Sequence, residues 1–89
     1  MANVQSSPTR SFEAAAEHGA PEAQFHLGLL YSTGQGVDQD YVIAHKWFNL
    51  AALQGSDEAR RFRSEISLDM TPQEIARAQR LAREWKYHH

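Results

Sequence analysis

The chain has 89 residues, a formal net charge of −2 and no cysteine. A chain of this length forms one small domain that buries roughly 60–65% of its extended surface, and without thiols it has no disulfide staple, cysteine nucleophile or thiolate zinc site. No apolar run is long enough to cross a bilayer, and the polar opening Met1-Ala2-Asn3-Val4 does not read as an export signal, so a soluble cytoplasmic protein is expected.

Residues 1–6 read as a disordered tail, and 7–87 as a single helical domain. Ser7-Pro8 is a helix start, since a serine oxygen caps a free N–H and proline in the first turn loses no needed donor. The first helix is expected from Pro8 to about His18, stopped by Gly19. Pro21 opens a second, in which Ala23, Leu27, Leu30 and Tyr31 recur at helical spacing and which ends near Thr33. Gly34-Gln35-Gly36 allows a tight reversal before Asp38 or Asp40 caps a third helix running to about Gln54.

The third helix places Tyr41, Ala44, Phe48 and Ala51 on one stripe with Trp47 and Ala52 beside it. The small alanines let helices approach to about 8 Å, and the rings fill the wider ends of the groove. Gly55 stops this helix, and Asp57-Glu58 open a fourth beside its positive dipole end. Thr71-Pro72-Gln73-Glu74 is a capping box, followed by an apolar stripe of Ile75, Ala78, Leu81, Ala82 and Trp85. Gln73, Arg77, Arg80 and Glu84 take the opposite face. His88-His89 is expected to stand outside the fold.

The chain also repeats itself. Ala15-Ala16-x-x-Gly19-x-x-Glu22-Ala23 returns as Ala51-Ala52-x-x-Gly55-x-x-Glu58-Ala59, a constant offset of 36 residues. A fixed period in the range of roughly 20–50 residues marks stacked repeats, in which one unit cannot bury its apolar face without a neighbour. Beyond Ala59 the identities stop, so the final helix reads as the cap of the array. The expected architecture is an all-α, short solenoid of antiparallel helix pairs, with a half unit at 8–19, a full unit at 21–55 and a degenerate unit with its capping helix at 57–86.

The run Ala23-x-x-x-Leu27-Gly28-x-Leu30-Tyr31-x-x-Gly34-x-Gly36-Val37-x-x-Asp40-x-x-x-Ala44-x-x-Trp47-Phe48-x-x-Ala51-Ala52-x-x-Gly55-x-x-x-Ala59 resembles one complete Sel-one-like repeat, a relative of the tetratricopeptide repeat. Phe12 to Ala23 is similar to the second half of a preceding unit, although Ser11 stands where Trp47 stands one period later. The resemblance implies an adaptor or scaffold that holds a protein or peptide partner. It also implies that the first helix of each unit lines the concave side, where peptides dock. On that basis Glu22, His26, Leu29 and Thr33, which share the second helix's outward stripe, are the candidate partner-binding surface.

No nucleophile, base and carboxylate stand in a recognisable catalytic context, so the chain reads as a binding protein and not an enzyme, with no cofactor. Ser32-Thr33 before Gly34-Gln35-Gly36 lacks the lysine and flanking strand of a phosphate loop. Glu22 and His26 form an i, i+4 pair with His45 as the remaining internal candidate, which falls short of a metal set. Phe25, Tyr31, Tyr41, Trp47 and Phe48 share faces with alanines and leucines and read as core.

Two further partner readings follow from the pattern. An incomplete first unit leaves Phe12, Ala15 and Ala16 short of cover, which would let two chains pair into a homo-oligomer. Through Ala59 the charge balance is −5 and from Arg60 onward it is +3. The basic set Arg60, Arg61, Arg63, Arg77, Arg80, Arg83 and Lys86 is interleaved with acids, so nucleic-acid binding ranks last.

Overall fold

The computed structural model describes residues 8–89, with side chains from Arg10 onward. The tail reading for residues 1–6 and the Ser7 cap lie outside the described residues. The described residues form five helices and no strand: α1 (Pro8–Glu17), α2 (Pro21–Thr33), α3 (Tyr41–Leu53), α4 (Asp57–Ser67) and α5 (Pro72–His88). α1 stops one residue short of the expected His18, which already lies in the Gly19 turn.

Caps decide where these helices begin. Asp40, not Asp38, caps α3, its carboxylate accepting from the N–H groups of Val42 and Ile43 at 2.9 and 3.1 Å. Thr71 and Glu74 exchange the two bonds of a capping box at α5. At α4 the cap is Ser56, whose hydroxyl accepts from the Ala59 N–H at 3.1 Å. The acids of the next two positions, expected to start that helix, only add a favourable interaction with its dipole.

The sequence repeat has a specific geometric meaning. After α1, Gly19 N–H donates to Ala16 O and Ala20 N–H to Ala15 O; one period later Gly55 N–H donates to Ala52 O and Ser56 N–H to Ala51 O. This is one C-terminal stop made twice, and it needs a left-handed residue, supplied by Gly19 at φ 94° and Gly55 at φ 102°.

α3 is the central helix. It packs against α2 on one side, α4 on another and α5 on a third, so it is buried nearly all round: Val42, Ala44, His45, Trp47, Phe48, Leu50, Ala51 and Ala52. That is wider than the single stripe expected from sequence. The closest approach is between α2 and α3, where the ring of Phe48 lies on the backbone of Gly28. A Cβ at Gly28 would fall inside the ring's contact distance. Phe25, Tyr31 and Tyr41, read as core aromatics, are half-buried and pack against this cluster.

α5 packs along α3, its Ala78 and Ala82 fully enclosed. Its far end reaches α1: Trp85 Nε1 donates to Glu17 Oε1 at 2.9 Å, and Trp85 meets Trp47 edge to face at 6.0 Å. His89, expected to stand outside the fold, stacks on Trp85 at 4.1 Å and pairs with Glu17 at 3.0 Å. The same packing corrects a second expectation. Ala16 is not short of cover: it is completely buried among Ala23, Leu27, Trp47, Leu50 and Ala82.

Two polar groups lie inside. Gln24 is satisfied, donating to Ala16 O and accepting from Gln54, which also donates to Gly19 O. His45 is 3% exposed and its Nδ1 has no hydrogen-bond partner. Burial, followed by the nearby positive charge of Arg63, lowers its pKa from the ordinary 6.5.

Gly28→Ala is expected to destabilise the fold by about 1–3 kcal/mol through overpacking, although alanine is the better helix former. Pairing it with Phe48→Leu in a urea-denaturation double-mutant cycle should recover part of the loss. Gly55→Ala, with open space around it, should cost about 1–2 kcal/mol through its torsion alone and be indifferent to residue 48. For His45, the unfolded chain binds the proton more readily, so its contribution is fully present above about pH 6.5 and falls as the pH drops below it, by at most about 1.4 kcal/mol per pH unit. His45→Leu should flatten the stability profile between pH 7 and 5, as read by thermal melts.

Candidate functional site

The stripe Glu22, His26, Leu29 and Thr33 does not act as one surface. Glu22 and His26 are exposed and line a cleft of about 620 Å³ between the start of α2 and the α3–α4 turn. Leu29 is half-buried and packs on the core. Thr33 is exposed but turns its hydroxyl back to donate to Leu29 O at 2.8 Å. The first turns of α2 therefore carry the open part of the site, and its last turn belongs to the fold.

The opposite wall comes from α4, with Asp57 and Glu58, and the base includes Phe25. Each of the three carboxylates sits in the first turn of its helix, where the dipole stabilises negative charge. Asp57 pairs with Arg60 at 2.7 Å. Among the described residues, neither Glu22 nor Glu58 has an ion-pair partner.

Aromatic rings run across the same side of the molecule. Phe12 stacks on His26 at 4.7 Å, His26 meets Phe25 at 5.7 Å, and Phe25 meets Phe62 edge-on at 5.6 Å. Phe62 is 36% exposed. The arrangement is itself periodic: Phe12 on His26 is repeated 36 residues later as Phe48 on Phe62, with interplanar angles of 19° and 28°. Glu22 and His26 are likewise answered by Glu58 and Phe62. The sequence reading missed Asp57, Glu58 and Phe62 as part of this surface because it sought identities beyond Ala59, and ring for ring the offset would have found Phe62.

A second cleft, of about 520 Å³, lies between the ends of α1, α3 and α5, lined by Glu17, Leu50, Leu53, Gln54, Trp85 and His89 among others. Leu53 is 60% exposed there. Close by, Lys46 lies 4.3 Å above the Trp47 ring. Burial lowers its pKa, with the charge of Glu17 opposing the shift.

No group of three potential metal-ligating side chains occurs among the described residues, and His45, enclosed in α3, is far from solvent access. The basic residues do not converge. Arg60 is paired with Asp57, Arg63 donates to Asn49, and Arg80 stands 3.9 Å from Glu84. No helix is long and apolar enough to cross a membrane among the described residues.

Residues 21–56 match the Sel1 repeat family. Alginate biosynthesis protein AlgK of Azotobacter vinelandii is 33% identical over 67 residues, covering 75% of this chain and 15% of that protein. Chitin synthase regulator SKT5 of Saccharomyces cerevisiae is 40% identical over 55 residues, covering 62% of this chain and 8% of that protein. The chain thus spans only a small part of the length of either relative. The match begins at the first residue of α2 and ends at Ser56, the cap of α4, so it takes in the whole α2–α3 hairpin and its glycine stop. Residues 21–56 are thus a Sel1 repeat, a tetratricopeptide-like helical-repeat unit that this chain has in common with both relatives.

Proposed function

We propose that this chain is a protein-interaction module of the adaptor or scaffold type, and that it presents the α2–α4 side to a peptide or protein partner. The observation that carries the reading is the cleft between the two helices that begin successive units, where the rings of Phe25 and His26 lie beside Glu22 and, one period later, Glu58. Internal packing accounts for the alanines, leucines and glycines of the repeat. It does not account for the carboxylates of Glu22 and Glu58, which stay exposed at matching positions on the cleft. Binding energy at such surfaces comes from a few aromatic or apolar anchors, with rim charges setting rate and selectivity.

The relatives support a non-catalytic role for the shared segment, because what they have in common with this chain is repeat architecture. Their polysaccharide connections, alginate biosynthesis in one name and chitin synthase regulation in the other, suggest that a partner belongs to machinery of comparable kind. Self-pairing through α1 is the weaker reading. With Ala16 enclosed, it would rest on Phe12 and Ala15, both half-buried, and α1 otherwise turns Arg10, Ser11, Glu13, Ala14 and His18 outwards.

Crosslinking pull-down from the native host should recover a protein partner, and the double variant His26→Glu/Glu22→Lys should lose it while melting within a few degrees of the parent chain. Capture unchanged by that variant would remove the α2–α4 side from consideration. Leu29 is avoided in this test because its packing confounds binding with folding.

A further inference from the structure

The α2–α4 cleft has a chemistry more specific than that of a general docking face. Its rim carries three carboxylates, two of them without an ion-pair partner among the described residues, and its base and one flank are ring faces. Helix dipoles explain why acids stand in first turns. They do not explain why two rings, those of half-buried Phe25 and exposed His26, line the same cleft. An apolar peptide would bury the rings but strand the carboxylates without partners, a costly desolvation. Phosphates of a nucleic acid would meet like charge.

Building on the proposed interaction role, we infer that this cleft takes an arginine-bearing, cationic segment of a protein partner. A guanidinium is the one side-chain group that satisfies both features, since it is planar enough to stack on Phe25 or His26 and forked enough to pair with Glu22 or Glu58. Lysine offers the charge without the plane. The periodic spacing adds a second point of contact, because the acid and ring of α2 are repeated on α4. Two cationic residues on one segment therefore meet a carboxylate on each wall, Glu22 and Glu58.

The test uses the full chain and fluorescein-labelled hexa-arginine, hexa-lysine and hexa-leucine-serine peptides. Fluorescence anisotropy should show hexa-arginine binding several-fold more tightly than hexa-lysine, and the amide NMR shifts it causes should centre on Glu22, Phe25, His26, Glu58 and Phe62. Glu22→Gln/Glu58→Gln should weaken hexa-arginine by about tenfold, and His26→Ala should reduce the preference for arginine over lysine. Glu13→Gln/Glu84→Gln, on α1 and α5, serves as the charge-matched control for the double variant and, like Glu84→Gln alone, should leave affinity unchanged. Equal loss with Glu84→Gln would reduce the effect to general electrostatics and overturn the inference. So would tighter binding of the uncharged peptide, or sedimentation showing that a second copy fills the cleft. If hexa-arginine fails while the pull-down partner is still lost in the α2 variant, the interaction role stands and the cationic assignment falls.

Discussion

α2 and α3 meet where the Phe48 ring rests on the Gly28 backbone, and the rest of the molecule is arranged around that contact. A glycine in mid-helix costs roughly 0.5–1 kcal/mol relative to alanine, so its presence has to be compensated by packing. Here it removes the one atom that would hold the helices apart. Close approach lets Leu27 and Ala23 reach Trp47 and Leu50 on one side, while Phe25 and Leu29 meet the Phe48 cluster on the other. The two clusters flank α3, and both depend on the distance that Gly28 sets.

Periodicity in this chain is expressed through turns and ring pairs more than through identical side chains. The Ala-Ala-x-x-Gly signature is a helix stop that uses the same two backbone bonds each time. Phe12 on His26 and Phe48 on Phe62 stack each helix on the one that follows it, with ring planes 19° and 28° apart. One phenylalanine of each pair comes from the helix that ends a unit, and the other ring from the helix that opens the next. Stacking between units is thereby specified by a contact that tolerates histidine for phenylalanine, since both present a flat face.

Much of this was legible because it is local. The glycine stops, the Thr71 capping box, the choice of Asp residues before α3 and the apolar stripe of α5 all rest on bonds or spacings within a few residues. The misses have a common cause in contacts between distant segments. Nothing near His45 marks it as enclosed; it is buried because α3 is surrounded by α2, α4 and α5. Ala16 is covered by groups as remote as Ala82, and His89 is drawn in by Glu17. The candidate stripe on α2 divides for the same reason. Helical spacing placed Glu22, His26, Leu29 and Thr33 on one side, but only a neighbouring turn decides which of them face a cleft.

The bond from Trp85 to Glu17 joins residues 68 positions apart and brings the last helix to the first. Open helical arrays melt like zippers, because each unit touches only the next and the ends fray without consulting the middle. Here the final helix lies along the central one and is tied to the first described one, so the two do not loosen independently. Helices α1, α2, α3 and α5 form a closed circuit with α4 packed on its side, and heat or denaturant has to open that circuit as a unit.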